Sequence, residues 1–270
     1  MVAQAIDAAR AIGVSAWTFH ERFRAGAMDY PRFFAAARGA GLRLVELNSP
    51  FFNSQDEGYI TSIKRAADDY GITIVNIAVD DFAYDLSSTD EANRREAVNR
   101  TIAWLDIAAA LDCPSVRNNT GGDNLAQCTT SFLALAAAAK ERGRRIAIEA
   151  HGGFSADADQ IVPLVRDIRR AYPDQIGLIP DFGNVASTPA HDRYGQIAAM
   201  APYAFLVHPK MEDFDERGEQ PGWDTARLVD IVRREHPGFT GPWIIEFEGA
   251  EDAFSGLRKS IALLSRCLES

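Results

Sequence analysis

Cysteine is scarce. The 270-residue chain has three, Cys113, Cys128 and Cys267, an odd number with no C-x-x-C spacing, which excludes a disulfide framework and a thiolate zinc site as organising devices. Long apolar runs are also missing: no stretch reaches the ~18 residues that a membrane span requires, and the N-terminal segment has no basic region leading into an apolar core. Positive charge is in deficit, with 28 Lys and Arg against 38 Asp and Glu, a formal charge of −10. Such a surface repels polyanions and offers no background attraction to a phosphate backbone. The first apolar run is not followed by a glycine-rich phosphate fingerprint, which speaks against a doubly wound dinucleotide fold. These absences lead us to expect a cytoplasmic protein with neither nucleic acid nor membrane as partner.

What is present is an ordinary globular composition, 47% hydrophobic and 24% charged. Eight short apolar runs can be read, at 13–19, 42–47, 73–78, 115–118, 145–149, 177–180, 204–207 and 243–247, each ending in polar or glycine-rich residues. They recur at an average of roughly 33 residues, enough for a strand, a helix and two loops. Between them, amphipathic helices are predicted at 57–70, 92–111, 131–142, 158–171, 224–234 and 254–268. Eight such units in a chain near the ~250 residues typical of one barrel predict an α/β fold, a single (β/α)8 TIM barrel over residues 1–270. His191 and His236 fall in expected helices and read as surface residues.

Barrel chemistry gathers at the C-terminal ends of the strands, where every strand delivers its last inward side chain to one mouth. The last four runs each end on one metal-competent residue, Glu149, Asp181, His208 and Glu246. Four such groups converging without a counter-charge would repel one another and lose hydration, and a divalent cation resolves the conflict. Three oxygen donors and one nitrogen suit Mn2+ first, then Mg2+ or Co2+, with Zn2+ left open.

The motifs Glu149-x-His151-Gly152, Asp181-x-Gly183, His208-x-Lys210 and Glu246-x-Glu248-Gly249 resemble the strand-end motifs of the xylose-isomerase-like barrel family of sugar isomerases and epimerases. Ketose 3-epimerases, hydroxypyruvate isomerases, inosose dehydratases and, more distantly, apurinic endonucleases share that pattern. The resemblance spans nearly the whole chain. It implies that Glu149, Asp181, His208 and Glu246 bind the metal, that Glu149 and Glu246 also act as acid and base on opposite faces of a substrate, and that His151 and Lys210 contact the substrate or the ligands. Asn184, where many relatives carry histidine, and Pro209, inside the His208 motif, depart from the pattern without removing a ligand.

Around this centre, Glu46 and Asn48 share a face at the end of the second strand and read as contacts to a hydroxyl. Arg117 is a further candidate substrate contact, and Trp17 belongs to an aromatic rim suited to a sugar's C–H face. Glu248 can orient a ligand or pair with Lys210. The few basic groups near the mouth favour an unphosphorylated carbohydrate. Metal coordination of a carbonyl and its neighbouring hydroxyl acidifies the intervening C–H through the enediolate. Proton return then gives isomerisation or epimerisation, while loss of a β-substituent from a keto-sugar, keto-inositol or 3-keto-glycoside would make the protein a lyase. An apurinic endonuclease-like hydrolase and a non-catalytic sugar-binding protein are the remaining classes, and a homo-oligomer stays open.

Overall fold

The computed structural model describes residues 11–81, 83–188 and 190–270. Its strands are β1 Ile12–Ser15, β2 Leu44–Asn48, β3 Thr73–Val79, β4 Ser115–Asn118, β5 Arg145–Glu149, β6 Ile176–Ile179, β7 Lys210–Met211 and β8 Trp243–Phe247. All ladders are parallel, in the order β6-β5-β4-β3-β2-β1-β8-β7. Backbone bridges complete the circuit between β6 and the segment preceding β7: Phe205 N donates to Leu178 O at 2.9 Å and His208 N to Pro180 O at 3.0 Å. The helices are α1 His20–Arg24, α2 Tyr30–Gly39, α3 Glu57–Tyr70, α4 Glu91–Ala110, α5 Leu125–Glu141, α6 Ala158–Arg169, α7 Arg193–Met200, α8 Thr225–Glu235 and α9 Ala253–Glu269. They turn apolar faces inward, as Ile161, Leu164, Val165 and Ile168 of α6 do. This is the expected (β/α)8 barrel. Among the described residues, no helix is long and apolar enough to cross a membrane.

Several expected boundaries move, each for a local reason. The first run stops being a strand at Ser15, whose Oγ accepts from Trp17 N at 3.3 Å and caps a 3-10 turn over Ala16–Phe19. The seventh run forms bridges at Ala204, Val207 and His208, and a regular ladder appears only at Lys210. Pro209 has no N–H to give to a ladder, and Lys210 N turns back to His208 O at 2.9 Å. Helix α5 begins at Leu125, six positions before the expected start at 131, because Asn124 Oδ1 accepts from Gln127 N at 3.1 Å. Thr129 and Thr130, poor helix formers by type, return their hydroxyls to the carbonyls of Leu125 and Ala126. His191 precedes α7 and His236 ends α8, so neither lies inside a helix. Both are half-buried, and His236 Nδ1 contacts Ala201 O at 3.0 Å.

The barrel interior positions the site. Ala147, Ile179, Leu206 and Ile244 pack as a separate buried cluster, with Leu44 against it. Side chains two apart on a strand share a face. The next inward residues toward the mouth are therefore Glu149, Asp181, His208, Glu246 and Glu46. Each stands on an apolar layer that excludes water from below. Gly13 leaves the space that Ile244 fills: a Cβ there would lie 2.6 Å from Ile244 Cδ1.

Candidate metal centre at the barrel mouth

One ligand atom from each of Glu149, Asp181, His208 and Glu246 lies within 4.8 Å of the others, and all four residues are buried. Four separate strands deliver them, so their proximity comes from barrel closure. His208 Nδ1 is 2.9 Å from Glu149 Oε1 and 3.8 Å from Asp181 Oδ2. Asp181 Oδ1 accepts from Gly183 N at 2.7 Å and Asn184 N at 2.8 Å, which orients that carboxylate.

Lys210 places Nζ 3.0 Å from Glu246 Oε2, 2.9 Å from Glu248 Oε2 and 3.9 Å from Asp181 Oδ2. It also donates to Asn184 Oδ1 at 3.0 Å. The asparagine at this departure from the family pattern thus forms part of the lysine's cradle. Gly183 makes room for the stem, since a Cβ there would meet Lys210 Cδ at 2.5 Å. Above Lys210, Trp17 donates its indole N–H to Glu248 and stacks against His20 and Phe51.

The remaining strands close a ring of polar contacts. Glu46 Oε2 lies 3.2 Å from His208 Nε2. Glu149 Oε2 lies 2.8 Å from Arg117, whose guanidinium also grips Asp80. Asp80 accepts from Asn48 Nδ2 at 3.3 Å, and Ser15 Oγ contacts both Asn48 Oδ1 at 3.2 Å and Glu46 Oε1 at 3.0 Å. Arg117 therefore reaches between carboxylates as a buried positioning group. Glu46 and Asn48 are 0% exposed, and their polar atoms are engaged below the mouth. His151 is exposed, one step beyond Glu149, and Trp17 stays at the rim.

Ser15, Asn76 and Asp80 were absent from the expected site. The rule that found the residues closing β5 to β8, applied to β1 and β3, finds Ser15 and Asp80. Asn76 shows as the one amide within the otherwise apolar middle of β3.

The electrostatics divide the carboxylates. Burial pushes Glu149 up, but Arg117 and His208 beside it outweigh burial and hold it well below the usual carboxylate range. Asp181 is pushed up to about 7 by burial, only partly opposed by Lys210 and reinforced by Glu149 and Glu246. Glu246 is also raised, chiefly by burial. For His208, burial favours the neutral ring, yet Glu46 and Glu149 carry its pKa well above the ordinary value.

One atom tests whether this donor set suits a cation. Asp181 Oδ2 is buried without a hydrogen bond, an expensive condition for a carboxylate oxygen that a bound cation relieves, whereas Glu149 Oε2 is held by the Arg117 guanidinium at 2.8 Å. Glu46, Asp80, Glu149, Asp181, Glu246 and Glu248 gather around two permanent cations, Arg117 and Lys210, and one imidazole. The excess is negative. Hard oxygen donors with one nitrogen fit a divalent ion of the Mn2+ or Mg2+ kind.

A cavity of about 280 Å3 opens between the loops after β3, β4 and β5, and Arg117, which holds Glu149, donates to Asn119 Oδ1 of its wall at 3.4 Å. His151, Asn119, Asp81 and Asp85 line it, and Asn119 Nδ2 has no hydrogen-bond partner. Lys and Arg are absent from its described lining.

A (β/α)8 barrel with a buried carboxylate–histidine cluster at its mouth is the class defined by these features. The sequence matches the model of the xylose isomerase-like TIM barrel family over residues 34–267, and the chain belongs to that family. No curated protein sequence matches it significantly. Among solved structures, it is similar to a D-psicose 3-epimerase studied in the presence of D-fructose, with a TM-score of 0.75 and 15% identity, covering 96% of this chain and 99% of the other. An L-ribulose 3-epimerase gives a TM-score of 0.75 at 18% identity, covering 96% and 94%. A xylose isomerase-like TIM barrel protein from Mycobacterium smegmatis, solved in complex with magnesium, gives 0.69 at 17% identity, covering 88% of each chain. At these identities the likeness is one of fold.

Proposed function

We propose that this protein is a divalent-metal-dependent isomerase or epimerase of an unphosphorylated keto-sugar or related polyhydroxy carbonyl compound. The observation that carries the reading is the convergence of Glu149, Asp181, His208 and Glu246, with the buried Asp181 Oδ2 left without a hydrogen bond. Those four residues would hold the ion, with Mn2+ the first candidate. When bound, a divalent cation polarises a carbonyl and acidifies the C–H beside it.

The chain's own groups then move the proton. Glu149 and Glu246 come from β5 and β8, and in this reading one removes the proton while the other returns it. Return to the same carbon from the opposite face inverts it; return to a neighbouring centre moves the carbonyl. Lys210, already within hydrogen-bond reach of Glu246, neutralises charge developing on a substrate oxygen. Trp17 shields this end of the mouth, and His151 and Asn119 offer hydrogen bonds to further hydroxyls. The carboxylates of Asp81 and Asp85, with no Lys or Arg along the described cavity wall, oppose a phosphate. The fold shared with two ketose 3-epimerases supports a ketose as the first substrate to try.

The test is incubation of the Mn2+-loaded protein in D2O with ketoses and their phosphate esters, followed by NMR. Deuterium at carbon in the recovered ketose and its isomer is the expected result. An enone product would replace proton transfer with elimination. Preference for the phosphate esters would overturn the substrate class, and an absence of exchange across the panel would overturn the function.

A further inference from the structure

Resting on the metal reading above, we infer that Glu46 is a positioning residue for the metal centre: it holds the proton of His208 on Nε2 and so presents Nδ1 as the coordinating nitrogen. Glu46 Oε2 is 3.2 Å from His208 Nε2, and both residues are fully buried. The carboxylate cannot turn away. Asn76 Nδ2 donates to the same Oε2 at 2.7 Å, and Ser15 Oγ donates to Oε1 at 3.0 Å. The Asn76 amide is itself oriented, because Ser115 Oγ sits 2.7 Å from its Oδ1 and leaves the NH2 for Glu46. Four strands, β1 to β4, thus contribute Ser15, Glu46, Asn76 and Ser115 to fixing one carboxylate.

The chemistry follows from the donor inventory. An ionised carboxylate only accepts, so Nε2 facing Glu46 carries hydrogen, while Nδ1 facing Glu149 gives up its own only where a cation occupies that side. A neutral imidazole has one N–H, which leaves the Nδ1 lone pair directed at the side where Glu149 Oε1 and Asp181 Oδ2 lie, 2.9 and 3.8 Å away. A lone pair facing two carboxylates is favourable when a cation stands among them. A carboxylate behind a ligating histidine fixes its tautomer and raises its basicity, and loss of such a partner typically weakens metal binding about 10–100-fold.

Two measurements test this. Wild-type protein labelled with 15N at histidine and loaded with 113Cd2+ should show cadmium coupling to His208 Nδ1 and a proton on Nε2. Titration calorimetry with Mn2+ should show Glu46→Gln binding about 10–100-fold more weakly than wild type. Coordination through Nε2, or an unchanged Mn2+ affinity in Glu46→Gln with a raised KM, would overturn the inference while leaving the metal reading intact. Failure of the wild type to bind either ion would overturn both. The cadmium spectrum needs no variant, so it decides the matter even if Glu46→Gln folds poorly.

Discussion

Lys210 and Glu246 are register partners on neighbouring strands, and the lysine ammonium lies 3.0 Å from the glutamate's Oε2. Because Asp181 and Glu248 share the same ammonium, Lys210 is the main internal counter-charge for that half of the mouth. Lys210→Met should leave buried carboxylates unbalanced and destabilise the metal-free protein by about 3–5 kcal/mol. Mn2+ should restore part of that loss. Urea unfolding with and without Mn2+ checks both, and equal stability of variant and wild type without metal would show that the lysine is not needed to balance the site.

Proton transfer by two carboxylates makes a sharper demand on catalysis than on stability. Glu149→Gln and Glu246→Gln should each lower deuterium exchange into substrate by about 10²–10⁴-fold, with the circular dichroism spectrum unchanged. Wild-type exchange rates in both variants would sink the two-carboxylate scheme.

A cation that binds only the folded chain should raise its melting temperature. At a free concentration of about 100 times Kd the linkage adds about 2.7 kcal/mol, or roughly 5–10 °C for a domain of this size. Scanning calorimetry of protein stripped with chelator and then titrated with Mn2+, Mg2+, Co2+ or Zn2+ measures the shift for each. The ion giving the largest shift at equal free concentration is the preferred one, and Mn2+ is expected to lead Mg2+.

The thiols report the integrity of the barrel. Burial pushes Cys113 and Cys128 up to about 12 and Cys267 up to about 11. At pH 8 the thiolate population is therefore on the order of one in a thousand or less, and the native protein should react negligibly with a thiol reagent. All three cysteines should react in guanidinium. The folded values exceed the unfolded one of about 8.5, so the unfolded chain releases these protons first. Their contribution to stability is present below about pH 8.5 and is lost as pH rises toward 11–12. Fast labelling of the native chain would place a cysteine outside the core.

Much of the fold was legible because it depends on local rules. The period of roughly 33 residues and the two-residue parity of strands identified the barrel and four residues of its mouth. Local exceptions were harder: Ser15 ends β1 by capping a turn, Pro209 breaks the seventh ladder, and Asn124 starts α5 six residues early. Each depends on which backbone group a side chain or missing N–H can satisfy, and hydrophobic pattern is blind to that. The partners of Glu46 were hidden for a related reason. Its place on the inward face was correct, but its depth and partners were set by strands distant in sequence.

What the sequence determined by itself was which side chains face inward at the strand ends, because alternation along a strand is covalent geometry. What only the tertiary structure decided was who meets whom. Glu46 finds His208 across 162 residues of chain, and Lys210 slides over Gly183 to neutralise three carboxylates. Those pairings depend on the register with which eight strands close and on the space left by small residues. Both are properties of the assembled barrel, settled when its interior layers pack.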